Sequence, residues 1–340
     1  MEAHTSDRQQ KAASTPAQIL GVVGAQNLAL LAGLALMLLV IRSLNQNVFL
    51  MANLLDIGVA VSIIGILSIA QMIVIVSGGL DISVGSAAGL ASVVTALAIS
   101  AGCPAIVAIT IALAVGAACG AFNGLLINYL KINPVIATLA TFGGFDGLAL
   151  VVSGGRAIAA RDEFFRYVGV TRWLGLPITV ILLILVAIVA HVFLSYTVTG
   201  RRIYALGSNE AAARNSGISL LKYRMGIYVM SGMAGGLAGA VIITRTRLGT
   251  EAGSSGLGLT AITAALLGGA ALTGGRGTIV GVMLAVIILG VLDNGLILTG
   301  TPPFWSSVAL GAFLIIAVAG QEADLPNKFK AWMAIRNRGR

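Results

Sequence analysis

Most of this 340-residue chain consists of long apolar stretches that are separated by short polar or glycine-rich breaks. Residues 106–122 and 277–292 contain no charged residue, and 173–200 contains only His191 and Tyr196 as ionisable groups. Apolar stretches of roughly 18 residues or more are typical of helices that span a membrane. The pattern predicts ten such spans, near residues 24–41, 54–76, 82–101, 105–129, 134–152, 177–197, 223–244, 258–273, 278–297 and 304–320.

The breaks between several spans are only a few residues long, as at Gly102–Pro104 and Lys131–Asn133. Such short connections place consecutive spans antiparallel to each other. We therefore predict an all-α, polytopic membrane protein with about ten transmembrane helices. Its parts are a polar N-terminal tail (1–23), a membrane domain (24–320) with one long polar loop (199–224), and a basic C-terminal tail (321–340).

The composition favours the same class of protein. Hydrophobic residues make up 58% of the chain and charged residues 10%, whereas soluble domains carry about 25% charged residues. The 44 glycines are typical of helices that pack closely in lipid. The net charge of +9 comes from residues scattered over loops and tails, without interleaved aromatics, so we expect no nucleic-acid partner.

The basic residues are unevenly divided between the two sides of the membrane. Ten spans place both termini on one side, which then carries 14 of the 21 Lys and Arg residues, against 7 on the other side. Cytoplasmic loops are enriched in Lys and Arg, so both termini are expected in the cytoplasm. The loop at 153–176 works against this orientation, because it carries four of those seven arginines.

A glycine turn with a single carboxylate joins the second and third predicted spans. Gly78 and Gly79 predict the turn, and Asp81 and Ser83 lie where the next helix begins. One interpretation is that Asp81 or Ser83 caps that helix and complements its positive end. The other is that the carboxylate lines a water-accessible passage or contacts a partner, since ionisable residues at membrane depth are costly and often functional.

Three further polar residues within spans are candidates for a substrate passage. Asp146 lies near the middle of its predicted span among glycines, which is the pattern expected where a substrate passes. Asn123 and Asn294 lie near the ends of two other spans, although such residues as often bind neighbouring helices. Aromatic residues make up only 6% of the chain, which argues against a high-affinity sugar platform in this protein.

The long polar loop predicts a short capped helix near 208–217. Ser208 or Asn209 is a suitable N-cap, Glu210 suits the first turn, and Gly217 is a natural stop. A solvated connector would not need such a helix, so we interpret it as a contact site. The residues assigned to it are Ser208, Asn209, Glu210, Ala211, Ala212, Arg214 and Gly217.

Four segments carry a resemblance to a known family. GGLDISVGSAAGL (78–90), NGLLINYLKINPVIATLATFGG (123–144), GRRIYALGSNEAAARNSGI (200–218) and LLGGAALTGGRGTIVG (266–281) together resemble the permease subunits of bacterial ABC importers for ribose and related monosaccharides. Glu210–Ala212 is similar to the EAA motif of many ABC permeases. However, Gly217 lies one position later than the usual glycine, and no Leu-Pro follows, so distant permeases do not correspond to this chain residue by residue.

The resemblance implies a set of partners and a location. It implies a multi-pass protein of the inner membrane that pairs with a second permease copy or a paralogue. A periplasmic sugar-binding protein would deliver the monosaccharide, and a cytoplasmic ABC ATPase would dock on the 208–217 helix and hold ATP and Mg²⁺. The chain itself has no G-x-x-x-x-G-K-[ST] motif, so we expect no catalysis, no cofactor and no metal site in this subunit.

Two other functions fit parts of the sequence. A proton-coupled secondary transporter that uses Asp146 is the stronger alternative. The sequence Gly253-Ser254-Ser255-Gly256 is similar to the motif of intramembrane serine proteases, with His191 as a candidate base. Because the predicted topology puts Ser255 and His191 at different depths, a protease is not expected.

Overall fold

The computed structural model describes residues 16–254, 256–302 and 304–321. Within these ranges the chain is almost entirely helical. The α-helices are α1 (Pro16–Leu44), α2 (Met51–Val76), α3 (Val84–Ser100), α4 (Ala105–Asn128), α5 (Pro134–Ser153), α6 (Glu163–Val170), α7 (Ile178–Tyr196), α8 (Val198–Ser208), α9 (Glu210–Asn215), α10 (Leu220–Thr246), α11 (Leu257–Leu267), α12 (Ile279–Leu298) and α13 (Phe304–Gln321).

Four two-residue strands and two short 3₁₀ helices complete the described structure. The strands are β1 (Ile158–Ala159), β2 (Arg172–Trp173), β3 (Leu176–Pro177) and β4 (Leu248–Gly249). Strand β1 pairs antiparallel with β4, and β2 pairs antiparallel with β3. The 3₁₀ helices are Gln46–Phe49 and Glu251–Ser254.

The helices form a bundle around α2. In the most apolar 18-residue stretch of α2, 83% of the residues are buried inside the chain, whereas in the corresponding stretch of α1 only 6% are buried. Helix α2 packs against α7, α10, α11 and α12, and α10 packs against α3 and α4. Since α10 is 27 residues long, or roughly 40 Å, its two ends define two ends of the bundle. We name them the α9 end and the α6 end after the short helices beside them.

Helix boundaries follow local sequence signals. Helix α5 begins with Asn133, whose side chain accepts a hydrogen bond from the Val135 N–H, followed by Pro134 in the first turn. It ends at Gly154, which has φ +64°. Helix α6 begins in the same way at Asp162, whose carboxylate accepts from the Phe164 and Phe165 N–H groups.

Small residues bring α4 and α10 into direct backbone contact. A Cβ atom at Gly116 would collide with the Gly232 carbonyl oxygen, and one at Gly120 would collide with that of Tyr228. In turn, a Cβ at Gly236 would collide with the Ala112 carbonyl oxygen. Glycines four residues apart on both helices therefore let the two backbones touch, as expected for helix pairs in lipid.

The described structure confirms the predicted polytopic all-α class. Seven helices have the length and hydropathy of membrane spans, and Val84–Ser100 and Phe304–Ala319 are shorter apolar helices. The predicted span at 258–273 is helical only as α11, which has 11 residues and is roughly 16 Å long. The prediction was wrong for 268–273, because this apolar segment is a packed loop and hydropathy alone does not distinguish such a loop from a helix. The predicted N-terminal tail (1–23) was wrong for 16–23, since α1 begins at Pro16, and the first residue of the predicted C-terminal tail, Gln321, is the last residue of α13; the rest of both tails lies outside the described residues.

Candidate functional site

The α9 end carries the short helix that the polar loop predicts. Helix α9 begins at Glu210, and the Asn209 side chain accepts a hydrogen bond of 3.0 Å from the Ala212 N–H. It ends at Asn215, and Gly217 follows with φ +78°. Sequence reasoning missed α8, because its first half contains Gly200 and two arginines on a polar stretch.

The α9 helix is tied to α10 by one close ion pair. Glu210 lies 2.6 Å from Arg224 of α10 and 3.5 Å from Arg214 in the next turn. Within α9, the side chain of Ala213 is buried, whereas those of Ala211, Ala212 and Arg214 are exposed. The exposed face therefore combines small side chains with the charges of Arg214 and Glu210, whose side chains are 70% and 43% exposed. Ser208, the last residue of α8, is also exposed and donates to the Tyr204 carbonyl oxygen at 2.8 Å.

The predicted glycine turn between α2 and α3 is present, but its carboxylate does not cap α3. Gly78 has φ +84°, and Gly79 lies beside Tyr228, whose hydroxyl a Cβ would approach to 2.8 Å. Ser83 holds the N-cap position without a capping hydrogen bond from its side chain. Asp81 instead accepts hydrogen bonds from the Ser83 N–H and hydroxyl, at 3.0 and 2.7 Å.

Asp81 is the centre of a buried polar network. Its other carboxylate oxygen accepts a 2.7 Å hydrogen bond from the Ser231 hydroxyl of α10, and its backbone carbonyl accepts one of 2.7 Å from Gln71 of α2. Asp81 lies between α2 and α3, and its burial raises the pKa of its carboxyl, against the lowering effect of the hydrogen bonds from Ser231 and Ser83. The network thus joins the turn to two long helices.

Asn123, a predicted passage residue, belongs to the same network. Its amide nitrogen donates to the Ser83 hydroxyl at 2.7 Å, and its oxygen accepts from the Thr141 hydroxyl of α5 at 2.7 Å. Asn123 is 1% exposed, so its side chain is fully engaged with protein groups. In this structure it connects α4 to α3 and α5.

Residues 249–254 and 256–258, which we name the 249–258 segment, run along α3, and they contain no α-helix before Leu257. A Cβ at Gly249 would lie 2.5 Å from that of Ala96, near the end of α3, whereas a Cβ at Gly85, near its start, would lie 2.7 Å from the Gly258 nitrogen. Between them, Ser92 donates to the Thr250 carbonyl oxygen at 3.2 Å, and Gly89 lies against Glu251. The segment therefore runs from the α6 end into the interior of the bundle.

This segment brings a second carboxylate, that of Glu251, to the helix that carries Asp146. The 3₁₀ helix that begins with Glu251 contacts α5, the helix that carries Asp146. Both residues are half-buried. Asp146 has no hydrogen-bond partner in the part of the chain that the structure describes, and within that part the Glu251 carboxylate accepts only from the neighbouring Thr250 hydroxyl, at 3.2 Å. The two carboxylates are thus available to a solute.

Sequence reasoning selected Asp146 but missed Glu251. Glu251 lies in the connection between the predicted spans 223–244 and 258–273, and only contacts along α3 show that this connection enters the bundle. The polar string Thr250-Glu251 between small residues was the only signal available in the sequence.

Asn294, the third predicted passage residue, lies away from these carboxylates. It exchanges hydrogen bonds of 2.8 and 3.0 Å with Asn53 of α2. Both helices border an open cavity of about 380 Å³ at the α6 end, which is lined by Asp56, Asp293 and Arg245 among others. Asn294 therefore belongs to a separate polar region.

Other chemistry finds little support in the described residues. Ser255 lies outside them, and His191 is an exposed residue of α7 whose ring stacks edge-on against Tyr196 at 6.2 Å. No group of three or more His, Cys, Asp or Glu residues within the described ranges could hold a metal ion.

A bundle of apolar spans, with a short capped helix at one end and a segment without α-helix entering from the other, is typical of the class of integral membrane transport proteins. The chain matches the family described as branched-chain amino acid transport system / permease component over residues 53–318. This match covers more than half of the chain, and the chain belongs to this permease family.

Several similar proteins are named as permeases. The ribose import permease protein RbsC of Bacillus subtilis (strain 168) is 38% identical over 295 residues, which cover 86% of this chain and 92% of the relative. The L-arabinose transport system permease protein AraH of Escherichia coli (strain K12) is 36% identical over 78% of this chain and 81% of its own length. The autoinducer 2 import system permease protein LsrD of Photorhabdus temperata is 36% identical over 80% and 84%. No solved structure matches.

Proposed function

We propose that this chain is the membrane-spanning subunit of an ATP-driven importer for a monosaccharide. Two of the similar permeases are named for ribose and L-arabinose, which are both pentoses. In this proposal a periplasmic binding protein delivers the sugar, and a separate ATPase subunit holds ATP and Mg²⁺. The chain lies in the inner membrane of a bacterium with both termini in the cytoplasm, so that the α9 end faces the ATPase.

The observation that carries the proposed passage is the course of residues 249–258. The described residues between α10 and α11 form no α-helix, and such irregular backbone at membrane depth is tolerated only where protein buries it or where it lines a water-filled cavity. Ala252, Gly253 and Gly256 are exposed, so this chain alone does not bury the segment. We infer that its open side lines the passage.

The carboxylates beside this segment suit a sugar in transit. Sugar hydroxyl groups donate hydrogen bonds, and the ionised side chains of Asp146 and Glu251 accept them without offering a competing donor. Charge-assisted hydrogen bonds are roughly twice as strong as neutral ones. The two carboxylates therefore offer acceptors to the hydroxyl groups of a sugar that passes this segment.

A second copy of the chain would complete the passage. Gly143, Gly144 and Gly147 of α5 lie around Asp146, and a Cβ at any of them would meet nothing within 4 Å. Small residues on an unpacked helix face are typical of helix contacts in lipid. With two copies facing each other through α5, the segment at 249–258 would be enclosed on its open side.

The passage is tested by uptake of radiolabelled D-ribose and L-arabinose into cells that express the complete transporter. We expect Asp146→Asn with Glu251→Gln to lower uptake about tenfold or more, because sugar contacts are lost in the transition state for translocation. Glu163→Gln, on the exposed helix α6, is the matched control and should leave uptake unchanged. Normal uptake by the double variant would contradict the passage.

The same assay distinguishes the alternative mechanism. A proton-coupled carrier would accumulate sugar in vesicles that contain this chain alone under an imposed pH gradient. The importer subunit should accumulate sugar only when its ATPase partner and ATP are present. Accumulation of sugar by the chain alone would contradict the proposal of an ATP-driven importer.

Docking of the ATPase is tested on the exposed face of α9. Arg214→Glu reverses a charge that is 70% exposed and leaves the close Glu210–Arg224 pair intact, so the helix should remain in place. We expect this variant to lower the amount of ATPase that copurifies with the chain. Lys222→Glu, an exposed charge reversal outside α9, is the control and should retain the partner. Equal copurification of both variants would contradict docking at α9.

A further inference from the structure

Three backbones meet at Gly207, one residue before the end of α8. A Cβ atom at Gly207 would collide with the carbonyl oxygen of Val76, the last residue of α2. It would also lie 2.8 Å from the backbone nitrogen of Gly275, in the loop between α11 and α12. Because both neighbours are backbone, neither can rotate away, and only glycine fits at this position.

Hydrogen bonds also join the same three segments. The Gly275 N–H donates to the Val76 carbonyl oxygen at 2.8 Å. The Tyr204 hydroxyl of α8 donates to the Gly277 carbonyl oxygen at 2.8 Å. The end of α8, the end of α2 and the α11–α12 loop thus form one contact unit, which we name the Gly207 junction.

The Gly207 junction continues directly into α9. Asn209 is at once the C-cap of α8, through its N–H to the Ala205 carbonyl oxygen at 3.1 Å, and the N-cap of α9. A single residue therefore separates the two helices, and no flexible linker lies between them. Any displacement of α9 must move α8 or bend the chain at Asn209.

The other side of the junction reaches the passage segment. Gly78, in the α2–α3 turn, also lies beside Gly207, since its Cβ would be 3.8 Å from the Gly207 Cα. That turn leads into α3, whose Gly85 lies against Gly258 at the end of the 249–258 segment. Direct contacts therefore connect α9 to the segment that carries Glu251.

We propose that Gly207 is a positioning residue that makes α9, the end of α2 and the α11–α12 loop move as one rigid unit during transport. This inference rests on the proposed role of α9 as the ATPase contact. Gly207 itself touches neither the sugar nor the ATPase. Its absent side chain is what allows the three segments to be joined.

The first experiment uses Gly207→Ala in the complete transporter reconstituted in vesicles with its ATPase and binding protein. The added methyl group must separate the three backbones while leaving the surface of α9 unchanged. We expect copurification of the ATPase and its basal hydrolysis to be retained, and uptake of radiolabelled pentose per ATP hydrolysed to fall roughly tenfold, within the range typical of coupling between distant sites. Gly226→Ala is the matched control, because a Cβ there meets nothing within 4 Å, and it should transport normally. Normal uptake per ATP in Gly207→Ala would overturn the inference.

The second experiment keeps Gly207 and so remains decisive if Gly207→Ala does not fold. Spin labels at Asn215 and Thr273 report the distance between α9 and the α11–α12 loop, and labels at Asn215 and Leu125 report that between α9 and α4. All three positions are exposed. Between the nucleotide-free and ATP-bound states, we expect the first distance to stay constant and the second to change.

The remaining outcomes separate the two proposals. A change in both distances would overturn the rigid junction while leaving α9 as the moving contact. No change in either distance would overturn the proposed role of α9 itself, together with the inference that rests on it.

Discussion

Two helix faces in this bundle are rich in glycine, but only one of them packs against another helix. Between α4 and α10, Gly116, Gly120, Gly232 and Gly236 place two backbones in contact. On α5, Gly143, Gly144 and Gly147 are similarly spaced, yet nothing lies within 4 Å of where their side chains would be. The first face fixes the fold of the single chain, whereas the second is left open. Small residues in a span therefore indicate close approach, and the structure is needed to say whether the partner lies in the same chain.

The largest loss of stability is expected from a large side chain on the glycine face between α4 and α10. Gly232→Leu places a side chain against the Gly116 carbonyl oxygen and should cost roughly 3 kcal/mol or more, because neither backbone can yield without separating the helices. We expect loss of the monodisperse peak in size-exclusion chromatography of the detergent-solubilised protein. Gly226→Leu on the same helix is the control and should keep that peak. A well-folded Gly232→Leu protein would show that the backbones of α4 and α10 do not touch.

An intermediate effect is expected at the polar network between these two faces. Asp81→Ala leaves the buried hydroxyls of Ser83 and Ser231 without their acceptor and should lower the free energy of unfolding by roughly 2–3 kcal/mol. Ser231→Ala removes only one of those hydrogen bonds and should cost about 1 kcal/mol. Midpoints of heat denaturation in detergent give the comparison. Equal midpoints for the two variants would mean that the Asp81–Ser231 bond alone carries the effect.

The smallest effect on stability is expected on the open face. Gly147→Ala should stabilise the isolated chain slightly, by roughly 0.5 kcal/mol, because alanine is a better helix former than glycine and meets no neighbour. If a second copy packs on α5, the same variant should weaken cross-linking between two chains in membranes. Unchanged cross-linking through cysteines placed at Gly144 would argue that α5 faces lipid instead.

Much of the fold could be predicted from the sequence because lipid imposes a simple rule. Each span must satisfy its backbone internally, so apolar length identifies helices such as α2 and α7. The rule fails for 268–273, where an apolar loop packs beside the Gly207 junction instead of continuing as a helix. The same rule does not predict α8, because its residues Gly200–Arg202 are typical of a solvated connection.

The candidate site was predictable only where local signals are strong. The caps of α9 at Asn209 and Gly217 depend on neighbouring residues, and the short helix is present as expected. Contacts between distant residues leave no such signal, so the contact of the Glu251 segment with α5 and the burial of Asn123 between Ser83 and Thr141 could not be found. The roles of these residues in transport stay predictions.

Because Asn209 caps both α8 and α9, the spacing of residues up to Asn209 determines the direction in which the exposed face of α9 points. Each residue added to a helix turns the downstream chain by about 100° around the axis and advances it by about 1.5 Å. One residue inserted between Gly207 and Asn209 would aim the exposed alanines of α9 in a different direction, even with every side chain preserved. Relatives that exchange ATPase partners are therefore expected to vary the residues on α9 while keeping the spacing from Gly207 constant.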